Sequence, residues 1–297
     1  MKEKTVYFTH QIALYSLFIM GNAVIDLPQK SADEFTFLGF LVTVVLSLSV
    51  NLVLTLLICR LFSTEKASSF KKTVATCVAV LVAIFALWCA ADTFSDFISF
   101  VGKVILPRVS PFLITLLFLL LALFFITRSK EASLKFSLLC FWGIAGVIIF
   151  FLLSSVRDYN LQNIFIFSLP TLKQLYHQSK PYIQNPLLPC LLLSAYNAVT
   201  FKKSRLKATA LGITVGYTLL GLCVLGSVLL FGPYTAGRLD FPYSAAVSTV
   251  TLGSLFTRMD GISYLLYFAC ALTRTTVCGY VIIEMGRLIK GFTSKKL

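Results

Sequence analysis

Long apolar runs separated by short polar or basic segments make up the chain from end to end. Eight runs can cross the roughly 30 Å of a bilayer's hydrocarbon as helix. They lie at approximately 9–27, 37–62, 72–99, 110–127, 135–155, 186–201, 207–232 and 260–284. Residues 160–185 differ: Phe165, Phe167, Leu169, Leu172, Leu175 and Tyr176 are mixed with Lys173, His177, Gln178 and Lys180. That segment is too polar to cross and predicts an interfacial or re-entrant helix on the outer side. The pattern predicts an all-α polytopic membrane protein of about eight transmembrane helices. It forms one bundle over 1–297 rather than two globular domains.

Composition sharpens this picture. The chain is 58% hydrophobic and only 13% charged, with a mean hydropathy of +0.87. A soluble domain this apolar would have no surface. The net charge of +14 is explained by basic loops on the cytoplasmic side. No aromatic-and-basic stripe or nucleic-acid motif accompanies it, so no nucleic-acid partner is expected. With the N-terminus inside, 17 of the 26 basic residues fall on the inner side, 8 on the outer side, and Arg274 within a span. This bias places both termini in the cytoplasm. The cluster Lys202-Lys203-Ser204-Arg205-Leu206-Lys207 is its strongest anchor. The short N-terminal segment lacks a small-residue cleavage site after its apolar run, and is expected to lead into the first span rather than to be a removed signal peptide.

The eight cysteines all lie in or beside apolar segments, without a CxxC pair, and read as small buried hydrophobes. His10 and His177 carry no ligand spacing. No metal site, cofactor or catalytic residue is expected, and no nucleophile-elbow, zincin or P-loop motif is present. The chain does not read as an enzyme.

Two spans are interrupted. Gly21-Asn22-Ala23-Val24-Ile25-Asp26-Leu27-Pro28 breaks or ends the first. Pro181, Pro186 and Pro189 precede a short apolar stretch in the sixth. Two readings fit both places. Helices broken here form the substrate site of transporters built from inverted repeats. The alternative is an ordinary outer end for span one and helix-start prolines for span six. Asp92 and Asp96 are spaced i,i+4 on span three and read as a solvated outer helix end, with a coupling carboxylate as the lesser alternative.

Arg274 is the one basic residue inside an apolar run. A charge within the bilayer is expensive, roughly 3 kcal/mol on insertion scales. It therefore either faces a protein interior with a function or snorkels to the cytoplasmic surface. Tyr264, Tyr267, Ala271, Arg274 and Cys278 share one helical face, which reads as a cavity-lining stripe or as a helix–helix seam. Gly212 and Gly216 form a GxxxG that admits another helix closely.

Several stretches taken together resemble the GerAB-type B subunits of endospore germinant receptors. This spore permease family falls within the amino-acid/polyamine/organocation transporter superfamily. Phe94-Ser-Asp-Phe-Ile-Ser-Phe through Pro107-Arg-Val-Ser-Pro111 resembles the family's junction of spans three and four. Gly232 through Ser244, with Leu239-Asp-Phe-Pro242, resembles its outer loop, and Phe256 through Tyr264 the start of its eighth span. Met20 through Pro28 resembles its unwound first span, and Arg274 stands where the family usually carries a lysine. The resemblance covers almost the whole chain. It departs at span six, where Asn185-Pro-Leu-Leu-Pro189 replaces the family's usual unwound segment, and in length: family members have ten spans. A truncated inverted-repeat fold with broken helices 1 and 6 is thus expected, without the last two helices.

The resemblance implies a subunit of a spore germinant receptor. It would sense a small nutrient such as an amino acid and help initiate germination. It would lie in the cell membrane or inner spore membrane, beside an A-type subunit and a lipoprotein C-type subunit. Candidate ligand-binding residues are Gly21, Asn22, Asp26, Tyr264, Tyr267 and Arg274. The alternatives are a proton-coupled amino-acid permease and a degenerate, non-binding scaffold subunit. The topology is tested first: Ser204→Cys should resist labelling by an impermeant thiol reagent applied outside intact cells. Ready labelling would overturn the orientation.

Overall fold

The structure is a computed structural model and describes residues 2–25, 35–62, 69–128, 130–164, 170–200, 206–249 and 260–294. The chain is an all-α polytopic membrane protein. Its long helices are α1 (Lys2–Ile25), α2 (Thr36–Phe62), α3 (Ser69–Phe100), α4 (Pro111–Thr127) and α5 (Lys130–Ser154). After α6 (Leu172–Tyr182) come α7 (Leu188–Thr200), α8 (Leu206–Phe231), the short α9 (Pro233–Ala236) and α10 (Pro242–Thr249), and α11 (Asp260–Ser294). Among the described residues, Thr36–Phe62, Lys72–Ile105, Glu131–Ser154, Leu206–Phe231 and Tyr267–Lys290 are long and apolar enough to cross a membrane. Residues 160–185 hold two turns of 3-10 helix, α6 and a π-helical turn. Residues Gln178, Ser179 and Tyr182 of α6 are buried against the bundle.

Hydrophobicity alone does not sort these helices in a lipid solvent; burial does. The apolar windows of α8 and α11 are 61% and 67% buried, against 22% for α2 and α3. Residues 13–21 of α1 are buried on every side, so α1, α8 and α11 form the centre. In α2 the usual amphipathic order is reversed. Thr36, Thr43, Ser47, Asn51 and Thr55 face inward, while Leu41, Val45, Val53 and Leu57 face out. The outside is hydrocarbon, so hydrogen-bonding groups must turn inward to find partners.

Those partners lie on other helices. The Ser194 hydroxyl of α7 donates to the Asn51 side chain at 3.1 Å. Gln11 of α1 donates to Asn197 of α7 at 3.3 Å, and Asn197 donates to Thr209 of α8 at 2.9 Å. Each such bond contributes on the order of 0.6 kcal/mol in a bilayer, at most about 2. At the end of α4, the Tyr280 hydroxyl of α11 reaches the carbonyls of Phe125 and Arg128 at 2.9 and 3.0 Å. These are carbonyls that a helix end leaves without an internal partner.

The GxxxG of α8 receives α1. A Cβ on Gly212 would lie 2.7 Å from Tyr15 Cβ, and one on Gly216 2.9 Å from Ser16 Cα. At this closeness Ser16 donates across the seam to the Gly212 carbonyl at 3.1 Å. Gly212→Ala should therefore destabilise the protein by about 1–3 kcal/mol through overpacking. At Gly146 an added Cβ would meet nothing within 4 Å. That position should tolerate alanine and gain up to about 1 kcal/mol of helix stability. Thermal unfolding in detergent checks both; an unchanged melting temperature for Gly212→Ala would contradict the seam.

Candidate functional site

The two interrupted helices and α11 meet at one guanidinium. Arg274 is wholly buried and is the largest fully buried side chain among the described residues. Beyond it α11 continues to Ser294, about 30 Å of helix at 1.5 Å per residue. The arginine is thus enclosed by protein and does not snorkel along its own helix to a surface.

Four elements enclose it. On α1, Gly21 has non-helical backbone angles (φ 12°, ψ −117°). A Cβ there would stand 2.5 Å from Arg274 Cδ and 3.0 Å from Nη1. Any side chain at position 21 would occupy the space of the arginine stem. One turn earlier, the Phe18 ring lies under the guanidinium, 5.7 Å from its centroid. That distance is within cation–π range.

Between α6 and α7, Asn185 adopts φ −147° and ψ 113°. It precedes Pro186, and proline disfavours helical geometry in the residue before it. Out of the helix, the Asn185 side-chain oxygen accepts a hydrogen bond from Arg274 Nη1 at 3.2 Å.

On α3, Cys89 is buried and its sulfur accepts from Arg274 Nη2 at 3.6 Å. The Cys278 thiol, one turn beyond Arg274 on α11, also donates to Cys89. Asp92, three residues after Cys89, is the carboxylate whose field reaches the guanidinium.

The charge remains incompletely matched. A guanidinium carries five N–H donors and stays protonated in proteins. Arg274 Nε is buried with no hydrogen-bond partner. Among the described residues no carboxylate forms an ion pair with Arg274. Leaving a buried donor unmatched costs on the order of 1–3 kcal/mol, more for a charged group. The open Nε edge of a planar fork suits a carboxylate, which accepts in the same plane.

Of the six residues singled out in the sequence, the structure joins Gly21 and Arg274. The Asn22 side chain and Asp26 lie outside the described residues. Tyr264 and Tyr267 share the Arg274 face but start seven or more residues earlier, about 10 Å or more along the helix. They belong to an aromatic layer. Phe100 meets Tyr264 at 5.6 Å, Tyr267 at 5.4 Å and Phe241 at 5.0 Å between centroids. The Tyr267 hydroxyl is buried without a partner. Sequence reading did not identify Asn185, Cys89 or Phe18 as neighbours of the arginine. Only Asn185 carried a signal, as the residue before a proline inside a span.

Gly21→Ala should displace the arginine stem. Its effect should appear as a melting-temperature drop equivalent to about 1–3 kcal/mol, with insertion into the membrane unchanged. A melting temperature equal to wild type would show that the stem has room to spare.

A family model described as spore germination protein, of the spore permease type, matches residues 5–296. No curated protein and no solved structure matches the chain.

Proposed function

The chain belongs to the spore permease family of spore germination proteins, and from that premise we propose that it is the nutrient-sensing B-type subunit of a germinant receptor. The observation that carries this reading is Arg274, wholly buried between two broken helices with its Nε unmatched. A fixed cation held at the junction of broken helices is the arrangement that captures an anionic group near a membrane's midplane. The ligand is a small nutrient with a carboxylate, most simply an amino acid. The carboxylate takes the open edge of the guanidinium, and Asn185 and the freed backbone at Gly21 line its approach.

In this reading the protein lies in the inner spore membrane with both termini in the cytoplasm. Its lipid-facing helices α2 to α5 expose long apolar rows. An A-type subunit and a lipoprotein C-type subunit are its partners. Ligand binding biases the packing of α1 and α7 around the arginine, and the partners transmit the change. The chemistry is recognition; no bond is made or broken.

Arg274→Ala should abolish the germination response to an amino-acid panel without loss of the protein from the membrane. Removing the charge eases insertion, so loss of protein is not the expected cause. Arg274→Lys should keep part of the response, since the charge remains while the planar fork is gone. Dose–response curves on spores, with immunoblots of the membrane fraction, measure both. A wild-type curve for Arg274→Ala would remove the basis of this reading.

A further inference from the structure

We propose that Cys89 and Cys278 form an oxidisable dithiol across α3 and α11, and that closing it to a disulfide takes away the sulfur contact that orients Arg274.

The geometry supplies the reasons. Both thiols are wholly buried and free. Cys278 donates to Cys89, so the two sulfurs are already hydrogen-bond neighbours. The helices that carry them meet over small side chains: Ala79, Ala86 and Cys89 on α3, and Ala271 and Cys278 on α11, are all fully buried. Such residues let helix backbones approach closely in membranes, and a disulfide requires that closeness. The permanent charge of Arg274, 3.6 Å from the Cys89 sulfur, gives the electropositive surroundings in which cysteines react. The six other cysteines lack a neighbouring guanidinium hydrogen bond among the described residues.

The reaction balances as a two-electron oxidation. Both S–H bonds break and one S–S bond forms. Two electrons and two protons pass to a membrane-permeant acceptor: a diazene becomes a hydrazine, or a quinone becomes a quinol. In the disulfide, Cys89 Sγ turns toward Cys278 and is no longer held by its hydrogen bond with that thiol. Arg274 Nη2 then loses the acceptor that fixes the plane of the guanidinium.

The test uses the full chain in native membranes, treated with the diazene diamide. After alkylation of remaining thiols in denaturant and proteolysis, mass spectrometry should find the Cys89 peptide joined to the Cys278 peptide, less two hydrogens. Dithiothreitol should separate them, and Cys278→Ser should abolish the linked species. This measurement is independent of nutrient sensing, so its failure is distinct from failure of the reading above. An absent link while exposed Cys77 is oxidised, or a link from Cys89 to any other cysteine, would overturn the dithiol. The effect on Arg274 rests on the proposed sensing function and is read separately. Oxidation should abolish the nutrient response reversibly, whereas a full response from protein shown to be linked would overturn that half of the inference.

Discussion

The burial of one guanidinium is the constraint on which the centre of this bundle depends. Arginine cannot shed its proton to escape a low dielectric, so the surrounding helices must accommodate a permanent charge. Position 21 must lack a Cβ because the arginine stem passes within 2.5 Å of where one would stand. Position 185 must leave the helix so that its amide oxygen reaches Nη1. The α3 face must offer a polarisable acceptor, and Cys89 does so. Three helices and a break are thereby committed to one side chain, and it still retains an unmatched donor. A bundle selected for stability alone would gain by removing such a charge. Its retention is the physical argument for a ligand.

The rest of the fold follows from lipid as solvent. The centre is built from α1, α8 and α11, which meet through glycines and small residues. Around them α2 turns its serine, threonine and asparagine inward and its leucine and valine outward. Interhelical hydrogen bonds such as Ser194 to Asn51 and Asn197 to Thr209 are individually modest. They fix which face of each helix points inward, since hydrophobicity cannot do so when both sides are apolar. The ion pair of Lys103 with Asp240 at 3.3 Å is exposed on both sides and contributes little by comparison.

Helix existence was legible in the sequence because apolar length is set by membrane thickness. Arg274 was legible because a charge in such a run has no cheap explanation. The break at Gly21 was signalled by glycine, asparagine, aspartate and proline crowding a span end. The partners of the arginine were not legible. Cys89 and Asn185 are remote from Arg274 in sequence, and neither forms a pattern with it. Cys89 looks like any other small apolar residue of α3. Asp92, assigned to a solvated helix end, instead lies close enough for its field to reach the site. The face rule that grouped Tyr264 and Tyr267 with Arg274 was sound as helical geometry. Shared direction along a helix does not make a shared site when about two turns intervene.

The central claim is that Arg274 and the break at Asn185 act as one unit. A double-mutant cycle on Arg274→Gln and Asn185→Ala, read in direct binding of a carboxylate nutrient by the purified full-length protein, tests it. The account predicts a coupling of about 0.5–3 kcal/mol, with the second substitution costing little once the first is present. Strictly additive losses would show that the guanidinium and the broken helix serve separate purposes, and would contradict the account.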